Sequence, residues 1–440
     1  MKRQIDLILK GGTLVNQDGA GVRNIAVHQG QIAGIGDLSE FTAAETLDCS
    51  GLHILPGVID TQVHLREPGA EHKEDLETGG RAAVMGGVTS VFEMPNTKPL
   101  TTTAAALADK VRRASNRMHC DFAFYMGGTR ENAPQLSEFE KLPGCAGIKV
   151  FMGSSTGNLL VEDDDGVASI LANTSRRAAF HSEDEFRLRQ RLSEQVVGDA
   201  ASHPIWRDAE AARLCTERLI RIARQQRKRI HILHISTAEE MPMLAANKDI
   251  ATVEVTPHHL TLSSDDYARL GTLLQMNPPV RSKDHQRAIW RALQSGVVDI
   301  LGSDHAPHTL EEKARPYPQS PSGMPGVQTL VPVMLDHVNR GRLTLERFVD
   351  LTSHGPSRIF GIARKGRIAE GYDADLTIVD LKKRRTIANS WIASKCGWTP
   401  YDGVEVRGWP QGTFVRGRKV MWDDEIIGNA HGQPMSFIEV

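Results

Sequence analysis

The chain has 440 residues, with 52 lysines and arginines against 54 aspartates and glutamates, so its formal net charge is −2. This balance excludes a global field that would draw the protein to nucleic acid or to an anionic membrane, and we expect neither partner. The length suffices for one large domain and a smaller accessory domain. A small molecule is therefore the expected partner.

The N-terminal segment has only a brief apolar run, which Asp6 interrupts. That run is too short for a signal-peptide core or a membrane span. Five cysteines are scattered without a CxxC pair, which is typical of a reducing compartment and supplies neither a disulfide framework nor a zinc knuckle. The sequence predicts a cytoplasmic protein.

The two ends of the chain share one sequence pattern, in which short β-branched runs alternate with turns that contain glycine or asparagine. This pattern predicts short antiparallel strands. Near the N-terminus they fall at residues 7–9, 13–15, 25–27 and 31–35, and near the C-terminus at 366–371, 374–380 and 413–420. We therefore predict one small discontinuous β-sandwich domain, built from residues 1–54 and 365–440.

Between these segments, short apolar runs alternate with stretches that are compatible with helices. The clearest pairs are a helical pattern at 76–85 before a strand at 88–94, and a charged helical pattern around 213–227 before a strand at 231–235. Repeated alternation over ~300 residues predicts an α/β fold, and at this length a (β/α)8 TIM-like barrel is favoured over an open doubly wound sheet. We place this barrel at residues 55–364.

Polar residues interrupt the apolar runs where barrel strands should end, which is where the catalytic groups of such barrels lie. On the first of these strands, Gln62 and His64 share one face by period two and should point into the same cavity. His231 and His234 lie on opposite faces of a later strand, so only His234 is expected at the barrel mouth. The other strand-end groups are Lys149, His181, Asp304 and His305.

Each of these residues alone has an ordinary explanation, because a lysine at a strand end commonly reaches solvent and a single histidine is more often a plain polar residue. His305 is equally well structural. Together, however, imidazoles and a carboxylate that converge from several strands are the ligands that a catalytic zinc prefers, with one position left open for water.

At this point the sequence resembles the amidohydrolase superfamily, and within it the class I dihydroorotases, over essentially the whole chain. The resemblance is carried by Lys149, His181, His234, His64-Leu65-Arg66-Glu67-Pro68-Gly69, Met94-Pro95-Asn96-Thr97, Met276-Asn277-Pro278-Pro279-Val280-Arg281 and Ser303-Asp304-His305-Ala306-Pro307-His308. It implies a metal-dependent enzyme that reversibly hydrolyses dihydroorotate to N-carbamoyl-L-aspartate in de novo pyrimidine biosynthesis.

The resemblance also implies roles for single residues. Lys149 would be N6-carboxylated and bridge two metals, with one or two zinc ions per chain. His181 and His234 would hold one ion, and His64 and Asp304 the other. Asp304 would also move a proton from the attacking water to the leaving amide nitrogen. The substrate would be bound by Arg66, Asn96, Asn277 and His308, with backbone groups of residues 323–326 completing the pocket.

Position 62 departs from the family motif, which has a second histidine there. Glutamine offers only a neutral amide oxygen, a weaker ligand for zinc, so the second metal site should be weaker. Three interpretations stay open. They are a binuclear centre with Gln62 as a poor or water-mediated ligand, a mononuclear enzyme that uses Lys149, His181 and His234, and a catalytically reduced relative kept for a structural role.

Two rival functions follow. An allantoinase or hydantoinase would share the metal scaffold but should lack the carboxylate clamp of Arg66 and Asn96. A non-catalytic partner of aspartate carbamoyltransferase is raised only by Gln62. We expect a homo-oligomer. The small residues of the loop at 153–158 would permit that loop to move over a substrate.

Overall fold

The computed structural model describes residues 2–154 and 159–438 and contains two separate sheets. The strands are β1 (Arg3–Asn16), β2 (Gly19–His28), β3 (Gln31–Ile35), β4 (Phe41–Asp48), β5 (His53–Pro56), β6 (Val58–Val63), β7 (Val88–Glu93), β8 (Asp121–Gly127), β9 (Cys145–Phe151), β10 (Ala178–His181), β11 (Ile230–Ile232), β12 (Ala251–Val255), β13 (Ile300–Leu301), β14 (Leu376–Thr386), β15 (Glu405–Val415), β16 (Arg418–Trp422) and β17 (Glu425–Ile426).

Most helices lie between the strands of the second sheet. They are α1 (Leu76–Met85), α2 (Ala104–Ala114), α3 (Leu136–Phe139), α4 (Asp164–Ala172), α5 (Glu185–Gln190), α6 (His203–Trp206), α7 (Ala209–Gln226), α8 (Met241–Ala246), α9 (Pro257–Thr261), α10 (Tyr267–Leu270), α11 (Lys283–Gln294), α12 (Leu310–Lys313), α13 (Leu330–Asn339), α14 (Leu345–Val349) and α15 (Gly355–Phe360). Among the described residues, no helix has both the length and the apolar character needed to cross a bilayer.

The first sheet joins both ends of the chain, in the order β17-β16-β15-β14-β5-β1-β2-β3, with β4 paired to β1. The prediction of only short antiparallel strands was wrong here. β1 is a single long strand, because a bulge between Leu9 and Gly12 lets it continue through Gly11, whose φ of 75° suits glycine. In addition, β4 and β5 pair with β1 in parallel.

The second sheet is the barrel, with eight strands in the order β13-β12-β11-β10-β9-β8-β7-β6. Its described pairs are parallel. The ring is brought towards closure beyond the strand ends, where the backbone N–H of His64 donates to the carbonyl of His305 over 2.6 Å. The predicted fold class, a barrel with a separate sheet from both termini, is confirmed, and boundaries at 54/55 and 364/365 stay our proposal.

Local sequence signals explain where the predicted helices begin and end. Asp75 caps α1 by accepting from the backbone of Thr78, which completes a capping box, and the helix ends at Met85 before Gly86. Asp208 caps α7 by accepting from the backbone N–H of Ala211, so this helix begins before the predicted 213–227. The resulting helices pack around the barrel and leave its strand ends free to carry polar side chains.

Candidate active site

The carboxyl ends of the barrel strands bring the predicted metal-binding residues into one buried region. Gln62 lies near the end of β6, with His64 just beyond it, while Lys149 lies on β9 and His181 ends β10. His234 follows β11, and Asp304 follows β13. All six side chains are buried. Parallel strands end on the same side of a barrel, which is why residues so far apart in sequence meet here.

His181 and His234 face each other. Nδ1 of His181 lies 3.1 Å from Nε2 of His234. The other nitrogen of His181, Nε2, lies 2.8 Å from a carboxylate oxygen of Glu183. Because a carboxylate only accepts, His181 donates from Nε2 and keeps a lone pair on Nδ1. A carboxylate behind a histidine is the arrangement that orients a ligand towards a metal.

Arg207 holds Glu183 in place. Its guanidinium forms a buried ion pair with the Glu183 carboxylate, and Nε donates over 3.1 Å. Burial by itself would raise the pKa of Glu183, but the Arg207 charge and the His181 hydrogen bond hold that pKa well below its usual range. Glu183 therefore stays ionised and fixes the orientation of the His181 ring.

Gln62 and His64 both approach Asp304. The Gln62 amide donates to Oδ1 of Asp304 over 3.1 Å, and Nε2 of His64 lies 3.3 Å from the same oxygen. Nδ1 of His64 is 2.8 Å from Oδ1 of Asn96, an acceptor that leaves the His64 lone pair on Nε2. Oε1 of Gln62 is buried and has no hydrogen-bond partner among residues 2–154 and 159–438. Burial raises the pKa of Asp304 to about 7, although the neighbouring cations oppose this.

Lys149 is a buried amine with weak support for its charge. Its Nζ donates to the carbonyl of Val150 over 3.0 Å and lies 3.9 Å from the centre of the Phe151 ring. Burial lowers the pKa of Lys149 well below its ordinary value, and the charges of Asp304 and Glu254 only partly offset this. Burial therefore favours the neutral amine, which is the form available for reaction.

Three site residues have left-handed backbones, namely Arg66 with φ of 64°, His234 with 37° and Asp304 with 47°. Such conformations cost about 1–3 kcal/mol each in residues other than glycine and collect at functional sites. The strand predicted at 231–235 is shorter than expected. It ends at Ile232, and the chain turns at His234.

Arg66 and His308 form a second cluster beside the metal-binding residues. Nε of Arg66 donates to the carbonyl of Pro307 over 3.0 Å, and its terminal nitrogen lies 3.2 Å from Nε2 of His308. Lys73 reaches the other ring nitrogen of His308 at 3.1 Å. The Arg66 side chain is buried and makes no ion pair with a carboxylate within the described parts of the chain. Burial lowers the pKa of Arg66 to about 10.

The remaining predicted substrate contacts are distributed differently. Asn96 lies against His64, as described above, whereas Oδ1 of Asn277 lies 2.9 Å from Nε2 of His203. The backbone of Gly326 donates to Nδ1 of His305 over 3.1 Å, so this histidine anchors the loop of residues 323–326. Of the loop predicted at 153–158, residues 155–158 lie outside the described residues.

The residues that support the site were not predicted from the sequence. Glu183 follows His181 by two positions, and an acid at that spacing could have been recognised as a partner. Arg207 and His203 gave no such signal, because they reach Glu183 and Asn277 only through the folding of α6 and the segment after it. Lys73, which contacts His308, lies in a loop without a pattern of its own.

A separate acidic cluster, Asp121, Asp373 and Asp375, has the spacing of a metal site. Its charge is already compensated by the protein. The ammonium of Lys365 forms ion pairs with all three carboxylates, and Arg416 binds Asp121 over 2.9 Å. Asp121 begins β8, at the opposite end of the barrel from the histidines. We interpret this cluster as a structural ion-pair network.

The chain is similar to known proteins over most of its length. The model of the Amidohydrolase family matches residues 53–420. A dihydroorotase of Halobacterium salinarum is 39% identical over 86% of this chain and 89% of its own length, and one of Methanosarcina mazei is 35% identical over 97% and 96%. The solved structure of an L-hydantoinase (dihydropyrimidinase) from Arthrobacter aurescens superposes with a TM-score of 0.94 at 30% identity, covering 98% of this chain and 100% of that one.

Proposed function

The chain belongs to the amidohydrolase family, and we propose that it is a metal-dependent dihydroorotase, which reversibly hydrolyses dihydroorotate to N-carbamoyl-L-aspartate in pyrimidine biosynthesis. Relatives that bear this name cover most of the chain at more than a third identity. Sequence similarity alone leaves the ring substrate open, since an L-hydantoinase shares the fold. The side chains beside the metal-binding residues support dihydroorotate as the substrate.

Arg66 is the observation that carries this proposal. Arg66 is 6% exposed, and its guanidinium makes no ion pair among the described residues. Asp304, Glu312 and Glu74 favour its charge, but none of them forms an ion pair with it. A buried cation without a paired carboxylate is costly, and a guanidinium fork matches the geometry of a carboxylate. Dihydroorotate carries a carboxylate on its ring and would supply that counter-ion, whereas an uncharged hydantoin would not.

The chemistry of the side chains supports a divalent cation at this site. The lone pair on Nδ1 of His181, directed at His234 by the Glu183 hydrogen bond, is the feature that supports this fit. We propose that His181, His234 and Lys149 hold one zinc ion, with Lys149 N6-carboxylated by carbon dioxide at its neutral amine. His64 and Asp304 would hold a second ion, with Gln62 as a weak ligand. A bound zinc supplies a Lewis acid and lowers the pKa of water to ~7.

Asp304 would then handle the proton. It would accept a proton from the attacking water and return it to the leaving amide nitrogen, a role that needs a pKa near the working pH. The Gln62 amide holds Oδ1 of Asp304 over 3.1 Å and so limits its rotation. Arg66 and His308 would bind the substrate carboxylate, and Asn96 and Asn277 would bind the ring.

A hydantoinase is the second candidate, because the TM-score of 0.94 to an L-hydantoinase shows that the same scaffold accepts another cyclic amide. The two functions differ in the charge of the substrate. Exchange of Arg66 for methionine should raise the KM for dihydroorotate by about tenfold or more, as expected for a lost hydrogen bond between charged groups. Any turnover of hydantoin should be unchanged, which makes hydantoin the internal control.

The test is an assay of dihydroorotate hydrolysis, N-carbamoyl-L-aspartate cyclisation, and hydantoin and allantoin hydrolysis, on a preparation whose zinc content is measured. We expect turnover of the first two compounds. A preference for hydantoin or allantoin would support the second candidate. Protein without zinc and without turnover would support a structural partner of aspartate carbamoyltransferase instead. That association and a homo-oligomeric state remain predictions.

A further inference from the structure

A strongly basic cavity lies at the end of the barrel opposite the candidate active site. It has a volume of about 410 Å³. Its cationic lining residues are Arg176, Arg177, Arg227, Lys228, Arg229 and Arg358. They come from three separate segments of the chain, before β10, between α7 and β11, and within α15. The fold therefore gathers these charges, and no single run of sequence accounts for them.

None of these six cations forms an ion pair within the described parts of the chain. On α7, by contrast, Arg213 and Arg224 pair with carboxylates. Arg177 donates to the carbonyl of Ile230 over 3.1 Å, which is a neutral acceptor and leaves Arg177 without a paired carboxylate. The side chains of Arg229 and Arg358 are exposed and make no hydrogen bond among the described residues.

Two neighbouring acids are already engaged. The Glu140 carboxylate accepts from the backbone N–H groups of Ser175 and Arg176, and Asp299 pairs with Lys248. Burial, together with the charges of Arg229 and Arg358, lowers the pKa of Arg177 to about 10, and the charge of Asp299 only partly opposes this. Cations this close repel one another at a protein surface, and a bound anion would relieve that repulsion.

Helix ends explain only part of the cluster. Arg227 and Lys228 follow the C-terminus of α7, and Arg358 lies in the last turn of α15, where cations complement the helix dipole. Arg177 and Arg229 are different, because each immediately precedes a barrel strand. Their convergence with the helix-end cations is therefore a property of the cavity.

A second cavity of about 500 Å³ adjoins the first and shares Ser175 and Arg176 with it. The Arg176 guanidinium lies 5.0 Å from the centre of the Phe437 ring. Much of the remaining lining is apolar, with Leu142, Pro143, Pro434 and Met435. A charged compartment thus lies next to a compartment suited to an uncharged ring.

We propose that these cavities bind a small molecule that carries phosphate groups, with its phosphates beside Arg177, Arg229 and Arg358. Guanidinium groups bind phosphate oxygens through paired hydrogen bonds. Free inorganic polyphosphate and a nucleotide share this chemistry, and the second cavity would hold the nucleoside of the latter. The strands that begin here, β9, β10 and β11, lead to the metal-binding residues at their other ends. The binding site is therefore separate from the proposed function.

The test is calorimetric titration of the full chain with inorganic tripolyphosphate, ATP and adenosine, at about 0.15 M salt, where weak surface attraction is screened. We expect one tripolyphosphate or ATP to bind per chain, and adenosine to bind far more weakly. Tighter binding of ATP than of tripolyphosphate would identify a nucleotide ligand, and equal binding would identify the phosphate chain alone. Absence of saturable binding would overturn the proposal.

Two double variants locate the site. Arg229→Ala with Arg358→Ala should weaken binding by at least about tenfold, since each removes hydrogen bonds between charged groups. Arg23→Ala with Arg407→Ala removes the same charge from exposed positions of the first sheet and should leave the affinity unchanged. Equal losses in both double variants would mean non-specific attraction and would overturn the proposal. An affinity that neither double variant changes would mean that tripolyphosphate binds elsewhere, for example at the active-site metals. That result would also overturn the proposal.

Discussion

The two sides of the candidate active site present their polar atoms differently. On one side, which we call the histidine half, Lys149, His181 and His234 come together, and the two ring nitrogens face each other over 3.1 Å. On the other, the glutamine half, Gln62 and His64 both turn towards one oxygen of Asp304, at 3.1 and 3.3 Å. The histidine half presents two imidazole nitrogens to each other, whereas the glutamine half places the N–H donor of Gln62 on the Asp304 carboxylate.

This difference suggests a division of labour. The histidine half offers basic nitrogens, and the ion pair of Glu183 with Arg207 fixes the His181 ring. It should bind the first cation tightly. In the glutamine half, an amide replaces an imidazole and holds the carboxylate of Asp304. That half should bind a cation weakly and act mainly on protons. Substitutions on each side can separate the two roles.

The largest expected effect is on turnover. Asp304→Asn keeps the shape of the side chain but removes the group proposed to carry the proton, so kcat for dihydroorotate hydrolysis should fall by about 10²–10⁴-fold. Zinc bound by the histidine half should remain, because His181 and His234 are intact. Steady-state kinetics and elemental analysis on the same sample measure both quantities. Near-normal turnover would exclude Asp304 as the proton carrier.

The next effect is on metal affinity and compares the two halves directly. His181→Ala should abolish tight zinc binding, whereas Gln62→Ala should leave the tightly bound ion in place. Glu183→Gln should lie between them, with affinity lowered by about 10–100-fold, because the His181 ring loses its orienting carboxylate. Competition with a chromophoric chelator measures these affinities without reference to turnover. Equal losses in His181→Ala and Gln62→Ala would contradict the division of labour.

A smaller change is expected when the missing ligand is restored. Gln62→His should raise the zinc content from about one to about two ions per chain, because an imidazole nitrogen is a better zinc ligand than an amide oxygen. Gln62→Asn, which keeps an amide on a shorter side chain, is the matched control and should not raise it. An unchanged zinc content in Gln62→His would show that position 62 does not limit the second site.

The residues of the histidine half were largely predictable from the sequence, but the residues that hold them in place, such as Arg207, were not. His181 and Lys149 stand at the ends of apolar runs, and a parallel barrel brings strand ends together. His234 was also recognisable, but its left-handed backbone was not, because sequence signals that conformation dependably only for glycine. Arg207 lies 24 residues from Glu183, and only tertiary packing joins them.

The first sheet shows a different limit. The run Leu7 to Val15 reads as two strands around a Gly11-Gly12 turn, yet those glycines form a bulge within one strand. β4 was not predicted at all, because most of its side chains are exposed or half-buried and it lacks an apolar alternation. β4 forms because its backbone pairs with β1, and the sequence of β4 alone gives no sign of this long-range pairing.

The smallest effect concerns Glu254, a buried acid in β12 that lies close to both halves. Thr61 donates to its Oε2 over 2.7 Å, and Nε2 of His231 lies 3.5 Å from the same oxygen. Its Oε1 has no hydrogen-bond partner among the described residues. Burial raises the pKa of Glu254 to about 8 from an ordinary value of 4.5. The acid is therefore neutral in the folded protein at neutral pH.

The sign of its effect on stability follows from that shift. A carboxyl whose pKa is raised on folding contributes stability that is fully present below pH 4.5 and is lost as the pH rises through about 8. Glu254→Gln keeps the side-chain shape without the ionisation. Relative to the unsubstituted protein, the variant should therefore gain stability between about pH 4.5 and about pH 8, by roughly 3–5 kcal/mol in all, and should gain no more above that range. Chemical denaturation across this range measures the gain, and Glu138→Gln, at an exposed position, should show none. Parallel profiles for Glu254→Gln and the unsubstituted protein would mean that Glu254 titrates at the same pH in the folded and unfolded states, and that burial does not raise its pKa.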